Sequence, residues 1–495
     1  MNFLFIITDQ QRADSLSCMG NPILKTPNID SIANEGVRFT NYFCANPICM
    51  PNRASFFTGT YPSVHGTRSN GINLNPEAPL ISEILRKRGY HTISVGKTHF
   101  NFFSRPAKRG ASSLENIIAW LHGDITSKDI PTPWYGFDEV LMTAGHGDWM
   151  AGHYFEWLND KGFDQHSYCL EKPLALNEYY YETEMSEELH PTTYITNQTV
   201  DFLERHIESK DAKKPFFLHC SYPDPHHPVC PPGKYKDMYK PEDIKLPTNF
   251  NDVENLLNHE FLGPHIKDAR FRQLLPQRIS EEEAKIFTAL TYGSIAMIDA
   301  GVGRILNTLD KLGISNNTMV IFTSDHGDLC GDHGFILKGP AHYRGLINIP
   351  LIWKVPGITK GTVSDSLVST IDLPKTILNI LGVREKYHPK EFQGYNISPL
   401  LNNPNQKIRE QLLIEHDEEI AKDKIMRLRT LVTENHRITI YDGYDKFGDI
   451  FDLLNDPDEI NNLWYDKELR NSLIERLLRE IISLQPRVPK RDAYN

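Results

Sequence analysis

Cysteine is scarce. The 495 residues hold seven, Cys18, Cys44, Cys49, Cys169, Cys220, Cys230 and Cys330, and none forms a C-x-x-C pair. That argues against a disulfide scaffold and a cysteine-based structural zinc site. A basic excess is also missing: 53 Lys and Arg face 64 Asp and Glu, for a net charge of −11. A general nucleic-acid or membrane-surface binder would show the opposite balance. No apolar run approaches the ~20 residues of a membrane helix. Internal repeats and low-complexity tracts are absent. The opening MNFLFIITDQQRAD lacks the basic start, long apolar stretch and small-residue cleavage site of a secretory signal. Phe3–Ile7 reads as a buried strand, and the chain is expected to be cytoplasmic.

What is present is a globular composition, 40% hydrophobic and 24% charged. Short apolar runs alternate with helix-like segments. Strands are predicted over Asn2–Thr8, Val37–Phe43, His91–Val95, Pro215–Cys220, Thr318–Thr323 and Pro350–Lys354. Helices are predicted from Pro27, from Pro79 and from Thr193, and a long one starts at the S-x-x-E capping box of Ser280 and Glu283. Buried strands alternating with helices predict a large, doubly wound, mostly parallel α/β sheet flanked by helices. Residues 1–382 form this domain, with an insertion at about 101–190 that is rich in Gly, Trp, Tyr and His. Residues 383–495 read as a small C-terminal α+β domain with antiparallel strands and a terminal helix.

Open α/β sheets bind ligands beyond the carboxyl ends of their strands. There the sequence places Asp9 and Gln10, then Lys97 and His99, then His226 and His227, then Asp325 and His326. Carboxylate and amide oxygens suit a hard divalent ion, Ca²⁺ first, with Mn²⁺ or Mg²⁺ as alternatives; a histidine nitrogen tilts the choice toward Mn²⁺. Lys97 and Lys338 offer fixed positive charge to an anion. Gly96-Lys97-Thr98 echoes a phosphate-binding loop, but the first glycine of that pattern falls on His91. Cys49 precedes Pro51 at a predicted helix N-terminus, where free N–H groups favour anions. Arg53 lies one turn further on.

The segment Cys49-Met-Pro-Asn-Arg53, followed by Thr58-Gly59, resembles the signature of the sulfatase family within the alkaline-phosphatase-like superfamily. Thr26-Pro-Asn-Ile-Asp30, Gly96-Lys-Thr-His99, Pro225-His-His-Pro228, Ser324-Asp-His-Gly327 and Lys338 are similar to further family motifs, in order. Phe451-Asp-Leu453, Asp456-Pro457 and Asn462-Leu463 resemble the motif of the family's small C-terminal domain. The resemblance implies that a maturation enzyme oxidises Cys49 to formylglycine. It implies a metal held by Asp9, Gln10, Asp325, His326 and residue 49. It implies a small sulfate ester as substrate, bound by Lys97, His226 and Lys338, with Asn70 as a weaker contact. Arg53 would orient the formylglycine, His226 (or His227) would protonate the leaving oxygen, and His99 would help release sulfate. Two departures stand out: Asn52 replaces the commoner Ser, and Gln10 replaces a second Asp. The second also occurs in choline-sulfatase-like members and in phosphonate monoester hydrolases, although the latter lack the Lys97 and His99 pair. A phosphonate or phosphodiester hydrolase, and an unmodified anion-binding relative, are the alternatives. His219, His333 and His342, the other six cysteines, and Trp120, Trp134, Tyr135 and Trp149 read as structural.

Overall fold

The first strand shows how the sequence divides the interior. Phe3, Phe5 and Ile7 join one apolar cluster, while Leu4 and Ile6 join another. Alternate side chains of an extended chain point to opposite faces, so both faces of this strand are covered. The structure is a computed structural model that describes residues 1–104, 112–171, 179–266, 276–357, 361–421 and 424–484.

In chain order the large domain contains β1 (Asn2–Thr8), α1 (Pro27–Glu35), β2 (Val37–Phe39), α2 (Cys49–Thr58), α3 (Ile81–Lys87), β3 (His91–Gly96), β4 (Glu139–His146), β5 (Trp149–Gly152), α4 (Pro191–Glu208), β6 (Phe216–Ser221), α5 (Glu281–Lys311), β7 (Thr318–Ser324), β8 (Leu351–Lys354), β9 (Thr362–Ser364) and α6 (Asp372–Ile380). The nine strands lie in the order β9-β2-β8-β7-β1-β6-β3-β4-β5. β7, β1, β6, β3 and β4 are mutually parallel, and β8 and β5 run against their neighbours. Helices α2 and α3 pack on the face of Phe3 and Phe5, and α1, α4 and α5 on the face of Leu4 and Ile6. This is the doubly wound α/β arrangement expected. The Ser280–Glu283 capping box starts α5 as read. That helix is long and apolar enough to cross a membrane, yet most of its apolar stretch is buried in the second core.

Two expectations change. The strand predicted over Val37–Phe43 is broken: Tyr42–Phe43 leaves β2 and pairs with Val368–Ser369 in a separate ladder. The region read as an insertion carries β4 and β5, which extend the central sheet beside β3. Trp120 and Trp134 are buried, and Tyr135 and Trp149 pack against the same cluster, which is their structural reading.

The C-terminal region forms a four-stranded antiparallel sheet of β10 (Gln411–Ala421), β11 (Lys424–Thr433), β12 (His436–Tyr441) and β13 (Gly448–Asp452), covered by α7 (Lys467–Ser483). Asp466 caps α7 by accepting from the Glu468 and Leu469 N–H groups. The motif residue Asn462 accepts from Ile450 N–H, so its role is to set the turn after β13. β10 also braces the loop before α2: Glu415 N–H donates to Ala45 O, and the Asn46 amide donates to Glu415 O.

Candidate active site

The carboxyl ends of β1, β3, β6 and β7 meet at one edge, and α2 begins there. Backbone bonds continue the ladder past the strands: Asp325 N–H to Thr8 O at 3.1 Å, Tyr222 N–H to Ile7 O at 2.8 Å, and Lys97 N–H to Ser221 O at 3.0 Å. Gly96 makes the turn into Lys97 with a φ of +102°, and a Cβ there would collide with Ser221 O. Gln10 and His99 hold φ values of +64° and +56° in the same zone. Such conformations are uncommon away from glycine and collect at functional sites.

Cys49 is the first residue of α2, and no side chain of its N-cap Ile48 closes the helix. The Asn70 side chain does so from outside, accepting from Met50 N–H at 3.1 Å. Asn70 therefore helps set the helix start beside Cys49, and this bond leaves its amide N–H groups available. Asn52 ties the loop together by accepting from Ala45 N–H and donating to Asp325 O. One turn into α2, Arg53 donates from Nε to Asp325 Oδ2 at 2.7 Å, and from Nη1 to Lys97 O and Ser221 Oγ at 2.9 Å each. Its Nη2 lies 3.8 Å from Asp9 Oδ2. Arg53 thus braces the ends of β1, β3, β6 and β7. No hydrogen bond joins it to Cys49 among the described residues, so its expected action on residue 49 is indirect.

Around Cys49 Sγ stand Lys338 Nζ at 2.8 Å, His326 Nε2 at 3.1 Å and Asp9 Oδ1 at 3.7 Å. Ligand atoms of Asp9, Cys49, Asp325 and His326 all lie within 4.8 Å of one another, and all four residues are buried. His326 Nδ1 lies 2.8 Å from Gly327 O, a carbonyl that can only accept. Nδ1 therefore carries the proton, and the Nε2 lone pair faces the cluster. Gln10 donates from its amide to Asp328 and His227, while its Oε1 is buried without a partner. Two carboxylates, an imidazole lone pair and an orphaned amide oxygen form a donor set that fits a divalent cation.

Positive charge dominates the centre. Burial opposes ionisation of Asp9, but Lys97, Arg53 and Lys338 hold its carboxyl well below the usual range. Burial and Asp9 oppose the Cys49 thiolate, yet the charges of Lys338 and Lys97 bring the thiol below its ordinary value. Position 49 therefore favours an anion.

The histidines divide. His226 Nε2 meets Lys338 Nζ at 2.9 Å, and its Nδ1 bonds to His227 O. Burial, His146 and Lys338 push His226 well below its ordinary value, so it is neutral with its Nε2 lone pair on the lysine. His227 lies against Gln10 at 3.1 Å. His99 is buried and stacks on Phe103 with ring centres 3.8 Å apart, and its Nδ1 has no hydrogen-bond partner among the described residues.

His146 was not anticipated. It ends β4 and places Nε2 2.8 Å from Lys97 Nζ. The only signal was its position at a strand end, and β4 itself was hidden in a segment of weak periodicity. His219 (to Ser94), His333 (to Asp252) and His342 (to His416 and Thr430) have structural partners away from this cluster. All seven cysteines are free thiols.

The family model for sulfatase matches residues 1–383, more than half of the chain. The chain belongs to the sulfatase family. Membership makes it a sulfuric ester hydrolase. A second model, for the C-terminal region of N-sulphoglucosamine sulphohydrolase, matches residues 331–487. An arylsulfatase of Clostridium perfringens is 32% identical over 483 residues, covering 95% of this sulfatase and 92% of the relative. An uncharacterized sulfatase of Escherichia coli is 27% identical over 488 residues, covering 96% and 86%. The solved phosphonate monoester hydrolase of Agrobacterium radiobacter superposes with a TM-score of 0.78 at 24% identity, covering 98% and 96% of the two chains, and shares the fold.

Proposed function

We propose that this sulfatase hydrolyses a small anionic sulfate ester to an alcohol and inorganic sulfate, using formylglycine made from Cys49 by a maturation enzyme in a cytoplasmic setting. The observation that carries the reading is the placement of Cys49 Sγ, buried at a helix start and within reach of Lys338, His326 and Asp9. Hydrated formylglycine would supply two hydroxyls on one carbon, one to attack sulfur and one to release the sulfate. A divalent cation held by Asp9, Gln10, Asp325 and His326 would supply charge that favours the nucleophile's alkoxide. The oxygen donors alone favour Ca²⁺; the imidazole lone pair of His326 moves the preference toward Mn²⁺.

The chain's own groups do the rest. Lys338, beside position 49, and Lys97, paired with Asp9, neutralise charge growing on the sulfuryl oxygens. Substrate binding draws Lys338 onto the sulfuryl group and frees His226 to take up and then deliver a proton to the leaving oxygen. Arg53 keeps the Asp325 carboxylate fixed in place. Mass spectrometry of the peptide containing residue 49, from protein made in its native host, tests the modification; a persistent thiol supports the unmodified anion-binding relative instead. A side-by-side comparison of kcat/KM on an aryl sulfate and on an aryl phosphonate monoester or phosphodiester tests the substrate. The sulfate ester is expected to be faster, and a much faster phosphorus ester overturns the choice.

A further inference from the structure

Three imidazoles stack in the site. His146 and His226 lie 3.7 Å apart between ring centres and 14° from parallel, and His226 and His227 lie 4.2 Å apart. Each ring is tied to a different site residue. His146 Nε2 meets Lys97 Nζ at 2.8 Å, His226 Nε2 meets Lys338 Nζ at 2.9 Å, and His227 Nδ1 meets the Gln10 amide at 3.1 Å. An ammonium donates and never accepts, so His146 Nε2 carries the lone pair.

That bond constrains Lys97. The side chain is fully buried. One of its three hydrogens goes to Asp9 and a second to His146. Phe103 stands 5.2 Å away with its ring, which provides no competing hydrogen-bond oxygen or nitrogen. With two acceptors fixed, the direction of the third hydrogen is fixed as well. Building on the sulfatase reading, we propose that His146 is a positioning residue, which sets the rotation of the Lys97 ammonium so that its free hydrogen meets a sulfuryl oxygen. Without His146, the Lys97 ammonium keeps its bond to Asp9 but is free to turn about it. The charge still attracts the substrate, while the directed bond is lost where it matters most, in the transition state. The ring of His146 also supports His226 by stacking, a second contribution that an aromatic replacement preserves.

A double-mutant cycle on the matured enzyme tests this, with single-turnover rates on a strongly activated aryl sulfate so that slow variants stay readable. His146→Phe keeps a stacking ring and removes the acceptor. It is expected to lower kcat by about 10–100-fold while KM stays within about twofold. His146→Gln offers an oxygen to Lys97 and is expected to recover most of that loss. In a Lys97→Met background, His146→Phe is expected to change the rate by less than about threefold, because its effect runs through Lys97. An equal factor in both backgrounds, or a His146→Phe enzyme as active as the parent, overturns the proposal. If His146→Phe does not fold, His146→Leu takes its place; loss of stacking then acts in both backgrounds, so a clearly larger factor in the parent than in the Lys97→Met background is expected, and equal factors overturn the proposal. The same cycle on an aryl phosphonate monoester separates the two questions. A parent enzyme that turns over only the phosphonate overturns the sulfate-ester reading, whereas the coupling between positions 97 and 146 still decides the role of His146.

Discussion

The Lys338 ammonium lies 2.8 Å from Cys49 Sγ and 2.9 Å from His226 Nε2, joining the nucleophile position to the histidine expected to serve the leaving group. Lys338 is only partly buried, unlike Cys49, Asp9 and Lys97. It therefore marks the side from which an anion enters.

Lys338→Met removes this charge at a partly buried position and leaves the neutral His226 Nε2 without its donor. We expect kcat/KM to fall by about 10²–10³-fold, the scale of one lost oxyanion donor, with little change in melting temperature. Lys338→Arg is expected to rescue poorly, because a planar guanidinium cannot reproduce one ammonium shared between position 49 and an imidazole. Steady-state kinetics on an aryl sulfate check both; a Lys338→Met enzyme within tenfold of the parent contradicts the assignment.

Arg53 calls for a different outcome. Its Nε pairs with Asp325 Oδ2 at 2.7 Å, and both side chains are fully buried. Removing one partner of a buried pair strands the other charge, at a cost of about 3–5 kcal/mol. Arg53→Met is therefore expected to lower the melting temperature as well as abolish turnover, whereas Lys338→Met affects turnover alone. Thermal melting of the two variants side by side is the check, and equal melting temperatures would count against a bracing role for Arg53.

Much of this was legible in the sequence, and the failures have physical causes. β1 was readable because Phe3–Ile7 is a continuous apolar run, as a strand covered on both faces requires. Ser280 and Glu283 announced α5 because a capping box is a local device. β4 was missed because its place in the sheet depends on parallel pairing with β3, a contact between Ile93 and Glu139 that no local pattern records. His146 was lost with it. Asn70 and Arg53 were correctly brought to the site, but their hydrogen bonds run to backbone and carboxylate groups, and only three-dimensional packing shows which acceptor a side chain reaches.

Chelation gives a third expectation. Asp9 and Asp325 are both fully buried, and the Gln10 Oε1 atom beside them has no partner. Treatment with a chelator is expected to abolish activity and lower the melting temperature. Re-addition of Mn²⁺ should restore more activity than Ca²⁺, given the nitrogen lone pair of His326. Full activity and an unchanged melting curve after exhaustive chelation would remove the cation from the account.

The last expectation concerns stability against pH, and it rests on histidines outside the reacting centre. His219 is buried among Phe5, Phe57 and Phe137 and bonds to Ser94 Oγ at 2.9 Å. Burial, and then the charge of Arg53, push its imidazole down to about 3. His65 is brought to about 3 by burial as well. In the unfolded chain both titrate near ~6.5. Below that pH the unfolded state binds protons that the folded state refuses, so their contribution is complete above about pH 6.5 and is lost as pH falls toward 3. The loss is about 1.4 kcal/mol per pH unit for each histidine. Melting temperature should therefore drop between pH 7 and pH 5. Combining His219→Phe with Ser94→Ala removes one titrating group without leaving the serine hydroxyl unpaired, so that variant should show a shallower drop than the parent. An identical slope in the two proteins would mean that His219 takes up its proton in the folded state, against the neutral, apolar setting that Phe57 and Phe137 provide.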